Sequence, residues 1–81
     1  MNEVFLIGKI VSNINFYFMI SSKNISIACF KIETLDGQVV DIKVYDSLAD
    51  FVYSKIKLGN LVFVYGFLNN KCVIGKECKK L

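Results

Sequence analysis

Residues 39–68 read VVDIKVYDSLADFVYSKIKLGNLVFVYGFL, and this stretch decides the fold. Residues 39–45 alternate polar and apolar side chains, which predicts a strand with one buried face. Apolar residues then recur at helical spacing from Leu48 to Ile56, and Ser47 with Asp50 fits a capping box at the start of a helix. Residues 57–60 end this helix, and residues 61–68 resume an alternating strand. The stretch therefore predicts a strand, a short helix and a second strand.

The rest of the chain predicts strands and turns. Residues 3–12 form a strand with two apolar faces, where Gly8 marks a bend that lets one strand serve two halves of a barrel, and residues 16–20 resume it. Residues 25–34 form the next strand, the Asp-Gly pair at 36–37 predicts a hairpin, and Asn69-Asn70 leads into a last strand over residues 71–78. One helix inside an all-β chain predicts a five-stranded Greek-key OB-fold barrel, with the helix between strands 3 and 4.

Length and composition predict one small domain over residues 1–81, because a chain of 81 residues builds a single core. Its hydrophobic fraction of 54% exceeds the roughly 45–50% usual for globular domains, so we expect surplus apolar surface and an oligomer. No run approaches the ~18 apolar residues of a spanning helix, and the first residues lack the form of a signal peptide. We therefore expect no membrane association and a cytoplasmic location.

The residues that most catalysis and metal binding require are scarce. The chain has no histidine, which removes the usual general base, and it has neither a phosphate-binding loop nor a nucleophile motif. Its three cysteines, Cys29, Cys72 and Cys78, are odd in number and include no CxxC pair, so we expect reduced thiols rather than a zinc site. The sequence predicts a protein that is not an enzyme and needs no cofactor.

All cations of the chain, whose net charge is +3, are lysines. Lysine contacts phosphate as a flexible point charge and lacks the forked donor with which arginine reads guanine edges. Any nucleic-acid binding should therefore be independent of sequence. The absence of arginine and tryptophan also fits the composition bias of an AT-rich genome, so the lysines alone do not select a function.

Strand alternation places a set of lysines and tyrosines on outward faces. Single-strand binding needs aromatic rings for the bases and cations for the backbone. The candidate residues are Lys9, Tyr17, Lys31, Lys43 and Tyr45. Two alternatives to nucleic-acid contact stay open. The lysines only keep the outer face of the sheet in contact with water, and Tyr45 covers the barrel core.

A second outward set is strongly apolar. It comprises Phe5 and Ile7 on the first strand and Phe63, Tyr65 and Phe67 on the fourth. An exposed stripe of this kind on a monomer favours aggregation, so we interpret it as an oligomer interface, with a base-stacking platform as the alternative.

Several motifs resemble those of the bacterial single-stranded-DNA-binding proteins. They are Val4-x-Leu6-x-Gly8-x-Ile10, Ala28-x-Phe30-x-Ile32, residues 44–50 (VYDSLAD), and Lys57-Leu58-Gly59-x-x-Val62-x-Val64-x-Gly66-x-Leu68. Together they span nearly the whole chain, and a small primosomal relative of that family is a close second match.

The resemblance implies an OB-fold that stacks bases on aromatic residues of strands 2 and 3, with Tyr45 at one stacking position. Val39 and a position close to Leu35 stand where the family has tryptophans, which removes stacking surface. The family's hairpin between strands 4 and 5 is shortened to Asn69-Asn70, and its acidic tail has no counterpart in the sequence. Family members form dimers or pairs of dimers.

Together these features predict sequence-nonspecific binding of single-stranded DNA by a homodimer or homotetramer, in a process such as DNA replication. RNA is left open as a ligand. The alternative function is an OB-fold protein-protein interaction module of the primosome accessory type, with little or no nucleic-acid binding.

Overall fold

A computed structural model describes residues 2–20 and 24–81, and it shows six strands and one helix. The polar residues 21–24 of the sequence predict a turn, which falls largely outside the described residues. The elements, in chain order, are β1 (Glu3–Ile10), β2 (Asn15–Ile20), β3 (Asn24–Thr34), β4 (Val39–Tyr45), α1 (Asp46–Lys55), β5 (Leu61–Asn69) and β6 (Cys72–Lys80).

Five of the strands close into a barrel. The sheet runs in the order β1-β5-β6-β4-β3-β2, and an additional pairing of β1 with β3 closes the ring. Only the β4–β6 pair is parallel among the pairs that the structure describes. β2 extends the outer edge of β3 rather than belonging to the ring, so the predicted five-stranded OB barrel with a short helix after its third barrel strand is confirmed.

Gly8 is the point at which β1 serves both of its neighbours. β1 pairs with β5 from Glu3 to Lys9 and with β3 from Gly8 to Ile10. A Cβ on Gly8 would lie 2.7 Å from the carbonyl oxygen of Glu33, so a side chain there would push the two strands apart. The prediction that β1 serves two halves of the barrel at Gly8 is thus confirmed, and β3 approaches closely at this glycine.

The core is built from alternate residues of the barrel strands and one stripe of α1. Its fully enclosed members include Phe30 and Ile32 of β3, Val44 of β4 and Val64 of β5, as strand alternation predicts. Strand alternation also predicts Leu68 inside, in line with Val62 and Val64, but it is 45% exposed. The pairing of β1 with β5 ends at Glu3 and Phe67, so Leu68 lies beyond β1 and pairs with Val73 of β6.

The start of α1 differs from the sequence prediction. β4 runs to Tyr45, which is extended at φ −129°, and the helix begins at once at Asp46 without a side-chain cap. Ser47 therefore lies in the first turn and not at the capping position, and the predicted capping box is wrong. Asp46 takes a left-handed φ of 58°, a conformation that aspartate tolerates better than most residues, and this turns the chain from strand to helix.

The buried stripe of α1 also differs in part from the prediction. Ala49 and Val52 are fully buried, whereas Phe51 is 38% exposed. Tyr53 stacks on Phe16 of β2 with ring centroids 4.6 Å apart, so α1 also holds the inner side of β2.

Candidate nucleic-acid interface

The outer surface of β2, β3 and β4 forms one continuous face, which we call the β3 face. Cross-strand register sets its rows, because directly paired residues project to the same side. The first row is Tyr17, Ile27 and Tyr45; the second is Asn15, Cys29 and Lys43; the third is Lys31 and Asp41. β6 joins the face through Cys72, opposite Asp41, and Ile74, opposite Lys43. Four of the five predicted contact residues, Tyr17, Lys31, Lys43 and Tyr45, are brought together here.

Two tyrosines flank a buried isoleucine on this face. Ile27 is only 1% exposed although it lies outside the barrel core, and Tyr17 and Tyr45 stand on either side of it. Tyr45 thus flanks Ile27 on the outside of the sheet and is not a lid on the barrel core. Tyr17 remains 44% exposed, which leaves part of its surface open for a ligand.

Tyr17 is fixed by a contact with the neighbouring row. Its hydroxyl lies 3.7 Å from the Cys29 sulfur, within hydrogen-bond range for sulfur. This hydrogen bond is the main reason that the pKa of Tyr17 is raised, with burial a smaller cause. The phenol therefore stays neutral at physiological pH and presents an uncharged ring.

Lys43 stands between the tyrosines and the polar third row. The pKa of Lys43 is raised by electrostatic interaction with Tyr45 and then with Tyr17 and Cys29. The ammonium is therefore fully charged at neutral pH, beside both rings. A cation next to aromatic faces is the combination that single-stranded nucleic acids require.

The third row contains an ion pair. The Lys31 ammonium lies 2.7 Å from Asp41 Oδ1, and the two side chains are 54% and 53% exposed. At this exposure such a pair contributes only about 0–1 kcal/mol to stability. A phosphate that approaches Lys31 must compete with Asp41, so Lys31 is a weaker phosphate contact than Lys43.

A cavity of about 360 Å³ opens between the second and third rows. Ser12 of the β1–β2 connection and Asn15 of β2 line one side of the cavity, and Cys72 of β6 also lines it. The remaining polar lining residues are Cys29, Lys31, Asp41 and Lys43. Burial raises the pKa of Cys72, so this thiol is protonated at neutral pH.

Lys9 lies apart from the other predicted contact residues. It pairs with Glu33 of β3 and with Leu61 of β5. Glu33 is four residues from Cys29 along β3, a distance of about 13 Å in a strand. Lys9 therefore marks the border of the β3 face, beside a carboxylate.

The predicted oligomer residues form a separate surface, which we call the β1–β5 face. Phe5 pairs with Tyr65 and Ile7 with Phe63. The Phe5 ring lies 4.9 Å from that of Tyr65, and the Tyr65 ring lies 6.0 Å from that of Phe67. Phe5 is 65% exposed and Ile7 is 44% exposed, so the set is a contiguous and accessible apolar surface.

Charged groups border the β1–β5 face. The Lys76 ammonium lies 5.8 Å from the centre of the Phe67 ring, in range for a cation–π contact. The Tyr65 hydroxyl donates a hydrogen bond to the Glu3 carboxylate. The face thus has an aromatic centre and a mixed charged rim.

Two other kinds of site are absent from residues 2–20 and 24–81. Within these ranges no three histidine, cysteine or acidic side chains cluster in a way that could hold a metal ion. None of the helices described is long and apolar enough to cross a membrane.

Sequence reasoning missed Ile27 and the cavity residues Ser12, Asn15 and Cys72. Ile27 carried a signal, because it is an apolar residue at an outward position of β3. The others carried none, since the cavity depends on how the β1–β2 connection lies beside β3 and on the pairing of β6 with β4.

Solved structures with the same arrangement of strands are single-stranded DNA binding proteins. The structure of the protein from Thermus aquaticus matches with a TM-score of 0.89 at 14% identity, covering 100% of this chain and 40% of that chain. The chain has the fold of these proteins. The mitochondrial protein from S. cerevisiae matches with a TM-score of 0.78 at 23% identity, covering 99% of this chain and 93% of that one.

The protein PriB from Ralstonia solanacearum matches with a TM-score of 0.78 at 13% identity, covering 99% of this chain and 97% of that one. The predicted likeness to single-stranded-DNA-binding proteins, with a primosomal relative as second match, is thus confirmed for the fold. No protein-family model and no curated protein sequence matches the chain. The chain spans about 40% of the length of the Thermus aquaticus protein.

Proposed function

We propose that the protein binds single-stranded DNA through the β3 face, without requiring a defined sequence. The observation that carries this proposal is the first row of that face, in which Tyr17 and Tyr45 flank Ile27 with the charged Lys43 beside them. Rings of this kind stack any base, and the ammonium offsets the charge of the backbone.

The polar third row limits the affinity. Asp41 engages Lys31, and Glu33 stands beside Lys9, so two of the three predicted lysines have acidic neighbours. We assign the main phosphate contact to Lys43, with Lys31 and Lys9 as weaker contacts. With one main phosphate contact, we expect the affinity for single-stranded DNA to be low to moderate and to fall only slowly as the salt concentration is raised.

We further propose that the β1–β5 face joins two copies of this chain. Phe5, Ile7, Phe63, Tyr65 and Phe67 form one surface on the barrel wall separate from the β3 face, so a dimer would leave both nucleic-acid faces free. A second copy would present the same aromatic row and the same rim, in which Lys76 and Glu3 supply opposite charges. Isologous pairing of such a surface is the commonest route to a symmetric dimer.

The alternative function, a protein-interaction module, is favoured by the same exposed aromatic face. In that case the β1–β5 face would hold a different protein and the β3 face would have no ligand. A cytoplasmic location, a role in DNA replication and the absence of catalysis stay predictions under either function.

Fluorescence anisotropy of a labelled thymidine oligomer separates the two functions. We expect saturable binding at low salt that weakens as salt is raised, because cations are released from the backbone on binding. Absence of binding at low salt would reject single-strand binding and favour the interaction module. Binding that does not change with salt would reject the lysine contacts.

A further inference from the structure

We propose that the cavity on the β3 face is a base pocket that favours guanine at one position of the bound strand. This inference rests on the proposed single-strand binding and adds a preference to it. The cavity, about 360 Å³, lies at the small end of the roughly 300–1,000 Å³ range of ligand pockets, which suits one base. It opens on the same face as Tyr17, the ring on which a neighbouring base would stack.

The walls of the cavity are held in place by hydrogen bonds. The Ser12 hydroxyl oxygen accepts a hydrogen bond from the Lys31 backbone N–H at 2.8 Å, and the hydroxyl donates to the Asn13 carbonyl at 3.0 Å. Tyr17 is held at the edge of the cavity by its contact with Cys29. The pocket is therefore formed before any ligand arrives.

Asp41 places a carboxylate in the lining of this cavity, on the face proposed to bind single-stranded DNA. A carboxylate on a face that attracts phosphates weakens binding, unless it accepts hydrogen bonds from the ligand. The strong N–H donors of single-stranded DNA lie on the bases. Asp41 lines the cavity and is half exposed; its Oδ1 lies 2.7 Å from the Lys31 ammonium, and its Oδ2 accepts no hydrogen bond from the residues that the structure describes.

The neighbouring carboxylate and ammonium match the edge of guanine better than that of any other base. Guanine presents two adjacent donors, N1–H and N2–H, beside the acceptor O6. The two oxygens of Asp41 can accept from both donors while Lys31 donates to O6. Cytosine and adenine offer one amino group and thymine one imino group, so each of these bases leaves a carboxylate oxygen unused.

The test compares thymidine oligomers of one length that carry a single central dG, dI, dC or dT, by fluorescence anisotropy. We expect the dG oligomer to bind about 5- to 150-fold more tightly than the all-dT oligomer, the range for a good bidentate contact. Inosine lacks the N2 amino group and should fall between the two. Equal affinities, or tighter binding of dC than of dG, would overturn the assignment.

Two variants locate the effect. Asp41→Asn should remove the preference for dG while it keeps or raises the affinity for dT, because a negative charge is lost from the face. Glu33→Gln is the matched control: it removes a carboxylate from the same face but not from the cavity lining, so the dG-to-dT ratio should be unchanged. A preference that persists in Asp41→Asn would also overturn the pocket.

The outcomes separate this inference from the function on which it rests. A wild-type protein that binds no oligomer rejects both. A wild-type protein that binds all four oligomers equally rejects the guanine pocket and leaves single-strand binding standing.

Discussion

Removing the Tyr17 ring should weaken the binding of single-stranded DNA without unfolding the protein. The ring is 44% exposed on the β3 face and flanks Ile27. One stacked base is worth about 1–3 kcal/mol. Since 1.4 kcal/mol is a factor of ten, Tyr17→Ala should raise the dissociation constant for a thymidine oligomer about 5- to 150-fold.

The conservative variant separates the ring from its hydroxyl. Tyr17→Phe keeps the aromatic surface and loses only the contact with the Cys29 sulfur, so its affinity should stay close to that of the wild type. Phe51→Ala is a second control, because it removes a partly exposed aromatic ring from α1, away from the β3 face. Thermal unfolding followed by circular dichroism would show that each variant is folded at the assay temperature.

Two results would refute this reasoning. If Tyr17→Ala binds like the wild type, then no base stacks on this ring. If Tyr17→Phe loses as much affinity as Tyr17→Ala, then the hydroxyl and not the ring makes the contact.

Three further predictions address charge, assembly and thiol chemistry. Lys43→Gln should lower the slope of log K against log salt by about 0.7, the value for one phosphate on a single strand, and an unchanged slope would argue against this contact. Phe5→Asp should dissociate the proposed dimer, as measured by light scattering. Leu35→Asp is the control, because Leu35 is 89% exposed in the β3–β4 turn, and it should leave the dimer intact. A dimer that survives Phe5→Asp would place the interface elsewhere. Burial raises the pKa of Cys78 to about 11, so this thiol is protonated at pH 8. Iodoacetamide at pH 8 should therefore leave Cys78 unlabelled in the folded protein and label it after denaturation. Rapid labelling of the folded protein would show an open barrel.

The barrel could be predicted from the sequence because its signals are local. Alternation over residues 39–45 and 61–66 fixed which side chains enter the core, and Gly8 marked the bend in β1. Strand alternation over residues 16–18 also predicts that Phe16 and Phe18 face away from Tyr17, and the structure agrees: Phe16 and Phe18 lie on the α1 side, with rings 5.3 Å apart, and Tyr17 lies on the other. Each of these inferences needs only the period of a strand.

Other features depend on how the strands and the helix pack against one another, which the pattern of residues along the chain does not show. Ser47 failed as a helix cap because β4 continues to Tyr45 and leaves no connecting loop. Leu68 is not a core residue because β5 extends beyond the end of its pairing with β1. The Lys31–Asp41 pair follows from the register of β3 on β4, which puts the two residues directly opposite each other.

The candidate site likewise has one part that the sequence predicted and one part that it did not. The sequence predicted Tyr17, Lys31, Lys43 and Tyr45 as outward residues, and cross-strand register brings them to one face. The cavity was not predicted, because Ser12 lines it only where the β1–β2 connection lies beside Lys31 of β3, and the sequence pattern does not show this contact.

The most direct test of the account is to map the bound strand on the protein. At 9.2 kDa the chain suits two-dimensional NMR, in which each backbone amide reports its own surroundings. On titration with a thymidine oligomer we predict shifts concentrated at Tyr17, Cys29, Lys43 and Tyr45, with little change at residues 63–67. Shifts confined to residues 63–67 would contradict the account and place the nucleic acid on the β1–β5 face.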